Sequence, residues 1–227
     1  MAHKVWHHHG QMSEAFRTVM FLSASGGLQD AYTYIGRGKV FANAQTGNIV
    51  LMSQAAFDGD LARVLHYLIP LLSFVAEAIH IRYREAKRLH WRQLVLLVEI
   101  LLLFGVGFIP NTLDLAANAL VSFACAMQVQ AFRKVHSYPF ASTMCIGNMR
   151  SGMESLVVYF HLHDKKVLHK ALHYFGVILL FAIGAGVGAH CVGVFGNKTI
   201  WFSCALLLVS LCFMFIQDEE EALKEKA

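Results

Sequence analysis

The sequence predicts an all-α polytopic membrane protein with six transmembrane helices, two short re-entrant or broken half-helices and an internal repeat. Composition is the first of three observations behind this. Of the 227 residues 56% are hydrophobic and only 15% charged, with a mean hydropathy of +0.50; a soluble domain carries about a quarter charged residues. Contiguity is the second. Leu94–Ile109 holds Glu99 and otherwise only apolar residues and glycine, and neither Val177–Phe195 nor Ile200–Ile216 contains Asp, Glu, Lys or Arg. Such runs approach the roughly 20 residues a helix needs to cross a bilayer, and they lack the alternation of a membrane-spanning strand. The third is a repeated motif: Phe41-Ala-Asn-Ala-Gln-Thr-Gly47-Asn48 and Phe140-Ala-Ser-Thr-Met-Cys-Ile-Gly147-Asn148, preceded at matching distance by Gln29 and Gln128. Polar, helix-interrupting segments at corresponding positions of two halves point to the central site of a membrane transporter.

Taken in order, residues 1–15 read as an N-terminal cytoplasmic segment. The membrane domain covers 16–217, with repeat halves of about 16–109 and 112–217, and 218–227 reads as a charged cytoplasmic tail. Each half holds four helical segments: 16–35, 46–57, 62–83 and 92–109, then 112–132, 147–161, 167–193 and 199–217. The first apolar run lacks a small-residue cleavage site and continues into Tyr32-Thr-Tyr, so it reads as a span and not as a signal peptide. The second segment of each half is too short to span comfortably at about 1.5 Å per residue. Each follows a stretch rich in Gly, Asn, Thr, Ser or Pro, which breaks helices, and so reads as a half-helix.

Charge sets the orientation. Arg82, Arg84, Lys87, Arg88 and Arg92 crowd one short loop and place it in the cytoplasm. With six spans the termini lie on that side too, the Pro110-Asn111-Thr112 turn lies outside, and only Arg37, Lys39, Arg63 and Lys198 of the 19 Lys and Arg fall outside. Eight spans would split the basic residues nearly evenly and strand Arg150 in the bilayer. Three spans per half is an odd number, so the halves insert with opposite orientation, as an inverted-topology repeat. The net charge of +4 thus reflects basic loops at a bilayer surface and not a nucleic-acid partner. Cys125, Cys145, Cys191, Cys204 and Cys212 form no CxxC pair and read as small packing residues.

The pattern Gly26-Gly27-x-x-Asp30-Ala31-Tyr32, then Val40-Phe41-Ala-Asn43-x-x-Thr46-Gly47-Asn48, resembles the YoaK family of bacterial integral membrane proteins, a domain of unknown function. Ala126-Met127-Gln128-x-Gln130-Ala131 and the segment around Gly147 resemble the same family, over about Phe16 to Ile216. Where the family commonly has Thr-Gly in the second motif, this chain has Ile146-Gly147, which removes a hydroxyl there. The resemblance implies a multi-pass protein of the bacterial plasma (inner) membrane and no particular activity.

Several residues are candidates for binding a solute or ion. Asp30 lies within the first span, where a charge is costly and usually faces a pathway; alternatively it caps a helix interruption or pairs with Arg37. Asn43, Gln45, Thr46 and Asn48 surround Gly47 at the start of the first half-helix, whose free amides favour an anion, while their carboxamide and backbone oxygens could equally hold a cation; alternatively Thr46 caps the helix and the asparagines satisfy loop backbone. Ser142, Thr143, Gly147 and Asn148, with Gln128 upstream, form the corresponding set in the second half. Arg150 could pair with Asp30, Glu154 or an anionic solute, or serve as a cytoplasmic anchor. Glu77 and Glu99 interrupt apolar spans and could relay protons or bond to neighbouring helices. The histidines His161, His163, His169 and His173 flank a basic loop without a completing carboxylate, and no metal or cofactor is expected. His7-His8-His9 reads as a solvated terminal tract.

No nucleophile elbow, Walker loop, dinucleotide fingerprint or zinc-protease helix is present in the sequence. The chain is therefore expected to be a secondary transporter or permease for a small polar or charged solute and not an enzyme, with the bilayer, that solute and a second copy of itself as partners. The alternative is a non-transporting scaffold or a lipid-acting membrane protein.

Overall fold

A computed structural model describes residues 16–84, 91–132, 134–135, 138–139, 143 and 145–226; the side chains of 77–84, 91, 134–135, 138–139 and 216–226 are outside the description. Among the described residues eight α-helices follow one another: α1 Phe16–Gly36, α2 Gln45–Phe57, α3 Leu61–Arg84, α4 Trp91–Val106, α5 Asp114–Ala131, α6 Cys145–Leu162, α7 Lys165–Phe195 and α8 Ile200–Lys226. Short 3₁₀ turns at Asn111–Leu113 and Gly196–Thr199 lead into α5 and α8. Lys134–Val135 and Tyr138–Pro139 form a two-residue antiparallel pairing, a small departure from an all-helical chain. The last helix also runs past 217, where the sequence reading placed a separate tail. Gln217–Lys226 contains only good or tolerable helix formers and no Gly or Pro, so nothing stops the helix.

The helices pack in matching pairs. α1 lies on α7 as α5 lies on α3; α2 lies on α3 as α6 lies on α7; α1 meets α8 as α5 meets α4. Exchanging every helix for the one four places along the chain leaves this set of neighbours unchanged. Glycines set the closest approach, between α1 and α7. A Cβ on Gly27 would collide with the Phe181 carbonyl oxygen, and one on Gly184 with that of Ala24. These backbones touch because neither residue carries a side chain.

Contacts at the two ends show how each helix runs. At one end, Asn111 Nδ2 donates to Gly36 O at 3.3 Å, Asn197 Nδ2 to Asn111 Oδ1 at 2.6 Å, and Trp201 Nε1 to Phe104 O at 3.1 Å; His66 Nε2 lies 2.9 Å from Gly38 O. At the other end the Phe16 ring stacks on His173 with centroids 4.4 Å apart, and Ser210 Oγ donates to Thr18 O at 3.2 Å. Gly26 lies ten residues before Gly36, hence about 15 Å along α1, near its middle.

The distribution of side chains is inverted relative to a water-soluble bundle. Leu94, Leu101, Phe108, Leu179, Ile183, Val187, Leu208 and Phe215 are exposed, while Ser25, Gln29, Glu99, Asn118, Gln128 and Ser203 are fully buried. The interior also holds an apolar core that includes Leu22, Leu96, Leu103, Val121 and Leu207, so what marks a bilayer protein here is the large apolar exterior together with the enclosed polar groups. Among the described residues, 111–131 and 165–215 are helical, long and apolar enough to cross a membrane by length and composition alone. The apolar run of α1 is interrupted by Ser23, Ser25, Gln29, Asp30 and Thr33 although the helix is continuous, and α4 has 16 residues.

Candidate functional site

The first Gly-Asn segment folds back into the bundle and docks on the middle of α1. Asp30 Oδ1 accepts the backbone N–H of Asn43 at 2.7 Å, and the amides of Ala42 and Ala44 also engage that carboxyl. Asn43 Nδ2 donates to Gly26 O at 3.2 Å. Asp30 therefore puts a negative group against the amides that lead into α2, where the helix dipole favours one. Asn48 closes the same loop. Its Oδ1 accepts Phe41 N–H at 2.9 Å, and its Nδ2 donates to Phe41 O at 2.7 Å and to Gln45 Oε1 at 2.9 Å. Gly47 is required here, because a Cβ would come within 2.8 Å of the Phe41 ring. Thr46 is exposed, and the N-cap of α2 is Ala44, which makes no side-chain cap bond.

The second segment reaches the same turn of α1. Thr143 is buried with its methyl against Gly26, where a Cβ would collide with it. Cys145, the first residue of α6, is close enough for the Asp30 charge to act on its thiol. From this level α2 runs toward the end that holds Gly38 and His66, and α6 toward the end that holds Phe16 and His173. Asn148 is buried, whereas a Cβ on Gly147 would meet nothing within 4 Å. Gln128 is buried and donates from Nε2 to Leu22 O at 3.2 Å. Arg150 stands apart: its Nε lies 2.9 Å from Glu154 Oε1, and its side chain is 82% exposed. Phe140, Ala141, Ser142 and the Glu77 side chain lie outside the described residues.

Beside this turn, about 100° around the helix, α1 presents a second polar face. Gln29 Nε2 lies 3.0 Å from Ser203 Oγ, 3.1 Å from Ser25 Oγ and 3.4 Å from Glu99 Oε1, three acceptors for two hydrogens. The Ser25 and Ser203 hydroxyls are 2.6 Å apart, and Cys125 Sγ donates to Gln29 Oε1 at 2.7 Å. Cys125 is also within electrostatic range of both Asp30 and Glu99. The sequence reading singled out Glu99 and Gln29 but missed Ser25, Cys125 and Ser203. These small residues lie in apolar runs, and only the packing of α1, α4, α5 and α8 gathers them.

A second omission is Arg37. Read from the sequence it is an external loop charge, yet its side chain is fully buried. Its Nε donates to Tyr32 Oη at 2.8 Å, Nη1 to Asp114 Oδ1 at 3.0 Å, and Nη2 to Val106 O at 3.1 Å and Ile109 O at 2.7 Å. Asn118 Nδ2 donates to Arg37 O at 2.7 Å. Arg37 thus ties the end of α1 to the α4–α5 turn and does not reach Asp30. Among the described residues, neither Asp30 nor Glu99 forms an ion pair. The central groups are carboxyl, carboxamide, hydroxyl and thiol, a set suited to holding a polar or cationic ligand or a proton.

Comparison with known proteins agrees with a membrane setting. A family model described as a protein of unknown function (DUF1275) matches residues 18–213. The chain is 24% identical over 209 residues to the UPF0700 transmembrane protein YoaK of Bacillus subtilis (strain 168), covering 85% of this chain and 92% of the relative. No solved structure matches. With the family model spanning most of its length, a relative named as a transmembrane protein, and an apolar surface enclosing buried polar groups, the chain is an integral membrane protein and belongs to the DUF1275 family.

Proposed function

We propose that the chain is a secondary transporter or permease for a small polar or cationic solute, bound where the Asn43 and Thr143 segments meet on the Gly26–Asp30 turn of α1. One observation carries the reading: α2 and α6 begin at the same level of α1 and leave toward opposite ends. Two half-helices that start at mid-membrane within an inverted repeat of three spans per half have this geometry, and solute sites of secondary transporters lie at such junctions. The matched packing of the two halves supports the same arrangement, as does the buried polar lining. Irregular backbone persists at this depth only when buried in protein or facing a polar space. With Asp30 at the start of α2 and no described cation beside it, the junction favours an amine or neutral polar group over an anion. Rocking of one half against the other would expose it alternately to the two sides of a bacterial plasma membrane, with both termini cytoplasmic.

A scaffold is the competing reading, and it has an observation in its favour: Asn48 is fully used in bonding the loop, and Asp30 is committed to backbone amides. Reconstituted protein separates the two. In liposomes challenged with labelled amines, amino acids and polyols, saturable uptake of at least one class is expected. It should be reduced at least tenfold in Asn43→Ala and Thr143→Ala variants that retain wild-type stability in detergent. Absence of uptake for every class, or uptake indifferent to both substitutions, would leave the scaffold.

A further inference from the structure

We infer that Glu99 is an exchangeable proton site that couples ion movement to the junction on the adjoining face of α1. Glu99 has no accessible surface, and its Oε1 is approached by one donor, Gln29 Nε2 at 3.4 Å. Its Oε2 has no hydrogen-bond partner among the described residues, although that atom is fully enclosed. A fully buried carboxylate with one approaching donor and no counter-cation is strongly disfavoured, and binding one positive charge relieves it.

The surroundings favour a proton over a metal cation. Gln29 Oε1 is already taken by the Cys125 thiol, and the Ser25 and Ser203 hydroxyls bond to each other. Too few free oxygens remain for the six or more that hard metal ions such as Ca²⁺ and Mg²⁺ prefer. The titratable groups facing Glu99 are Cys125 from α5 and Cys204 from α8, with Asp30 of α1 acting on the same Cys125. No described Lys, Arg or His joins them. Ser203, Ser25, Gln29 and Cys125 form a hydrogen-bonded path beside Glu99, and Gln29 adjoins Asp30 in sequence. A change at Glu99 therefore reaches the α1 turn on which the two motif segments dock. The coupling half of the inference rests on the transport reading; proton binding does not.

The test is infrared difference spectroscopy of the full-length purified protein, with pH jumps and deuterium exchange. A carbonyl stretch of a protonated buried carboxyl is expected in wild type. It should titrate, shift in D₂O and disappear in Glu99→Gln, an isosteric change that keeps the neutral shape. A band that neither titrates nor exchanges would mean a locked structural acid and would overturn the proposal, as would the absence of any band assignable to Glu99. Loss of the band on adding Na⁺ or K⁺ would overturn it in favour of a metal-cation site. In liposomes, Glu99→Gln should abolish the response of uptake to an imposed pH gradient while solute exchange persists. Should uptake fail in every form while the band behaves as expected, the transport reading falls and the proton site stands. Should Glu99→Gln misfold, Gln29→Leu, which removes the amide donor to Oε1, is expected to shift the band without abolishing it; an unshifted band would overturn the assignment.

Discussion

Arg37 shows how a single charge is accommodated in an apolar protein. Nε, Nη1 and Nη2 all donate to acceptors from α1, the α4–α5 turn and Asp114. Removing one partner of a buried ion pair leaves the other charge uncompensated, at about 3–5 kcal/mol. Arg37→Met is therefore expected to lower stability by roughly 3 kcal/mol, read as the midpoint of thermal unfolding in detergent. Arg37→Lys should not restore it, because an ammonium cannot reproduce the planar fork. Asp30 differs in kind, since its partners are backbone amides. Asp30→Asn weakens acceptance at Asn43 and presents an NH₂ to further N–H groups, so the 41–48 loop should lose protection in hydrogen–deuterium exchange while α7 and α8 remain protected. A protection pattern identical to wild type would mean that Asp30 does not hold the loop.

Among the elements, the α1–α7 contact is the least tolerant of change. Gly27 and Gly184 each face a carbonyl oxygen of the partner helix, so a β-branched side chain must push the backbones apart. Overpacking of this kind typically costs about 1–3 kcal/mol. Gly27→Val and Gly184→Val are expected to destabilise at or above the upper end of that range, whereas Gly186→Val should be nearly neutral, because a Cβ there meets nothing within 4 Å. Thermal denaturation of the three variants checks the contrast. The starts of α2 and α6 allow a direct distance test. Asn43 and Thr143 both touch Gly26, so Asn43→Cys with Thr143→Cys should crosslink with a short bifunctional reagent in a background lacking Cys125 and Cys145. Absence of a crosslink in folded protein would separate the two segments.

For the molecule as a whole, the basic loops and the helix ends make a joint statement. The end that gathers Arg37, the 106–114 turn and Trp201 carries few of the basic residues, which predicts that it faces away from the cytoplasm. Phe104, Phe108 and Trp201 pack at that end with centroids 5.2–5.6 Å apart; the Trp201 indole, with its N–H on Phe104 O, suits a membrane–water interface. A reporter fused after Ala227 is expected to be active in the cytoplasm, and one inserted at 110–112 active outside. An external C-terminus would remove the six-span topology and the inverted repeat with it.

The sequence by itself determined the membrane class, the order and approximate limits of the eight helices, and the family. Long apolar runs, broken at Gly-Asn segments and at Pro110, are local signals that need no knowledge of packing. It also indicated that Asp30, Asn43 and Glu99 were not ordinary membrane-facing residues. Only the tertiary structure decided what each of them meets: Asp30 against the amides leading into α2, Glu99 against Gln29, and Arg37 on Asp114 instead of in solvent. It likewise separated Arg150 from the junction and brought Cys125 from α5 and Ser203 from α8 to Gln29 and Ser25 of α1. Such pairings join residues up to 178 apart, and helical periodicity records which face a residue shares with its own neighbours in the chain, not which distant helix will cover that face.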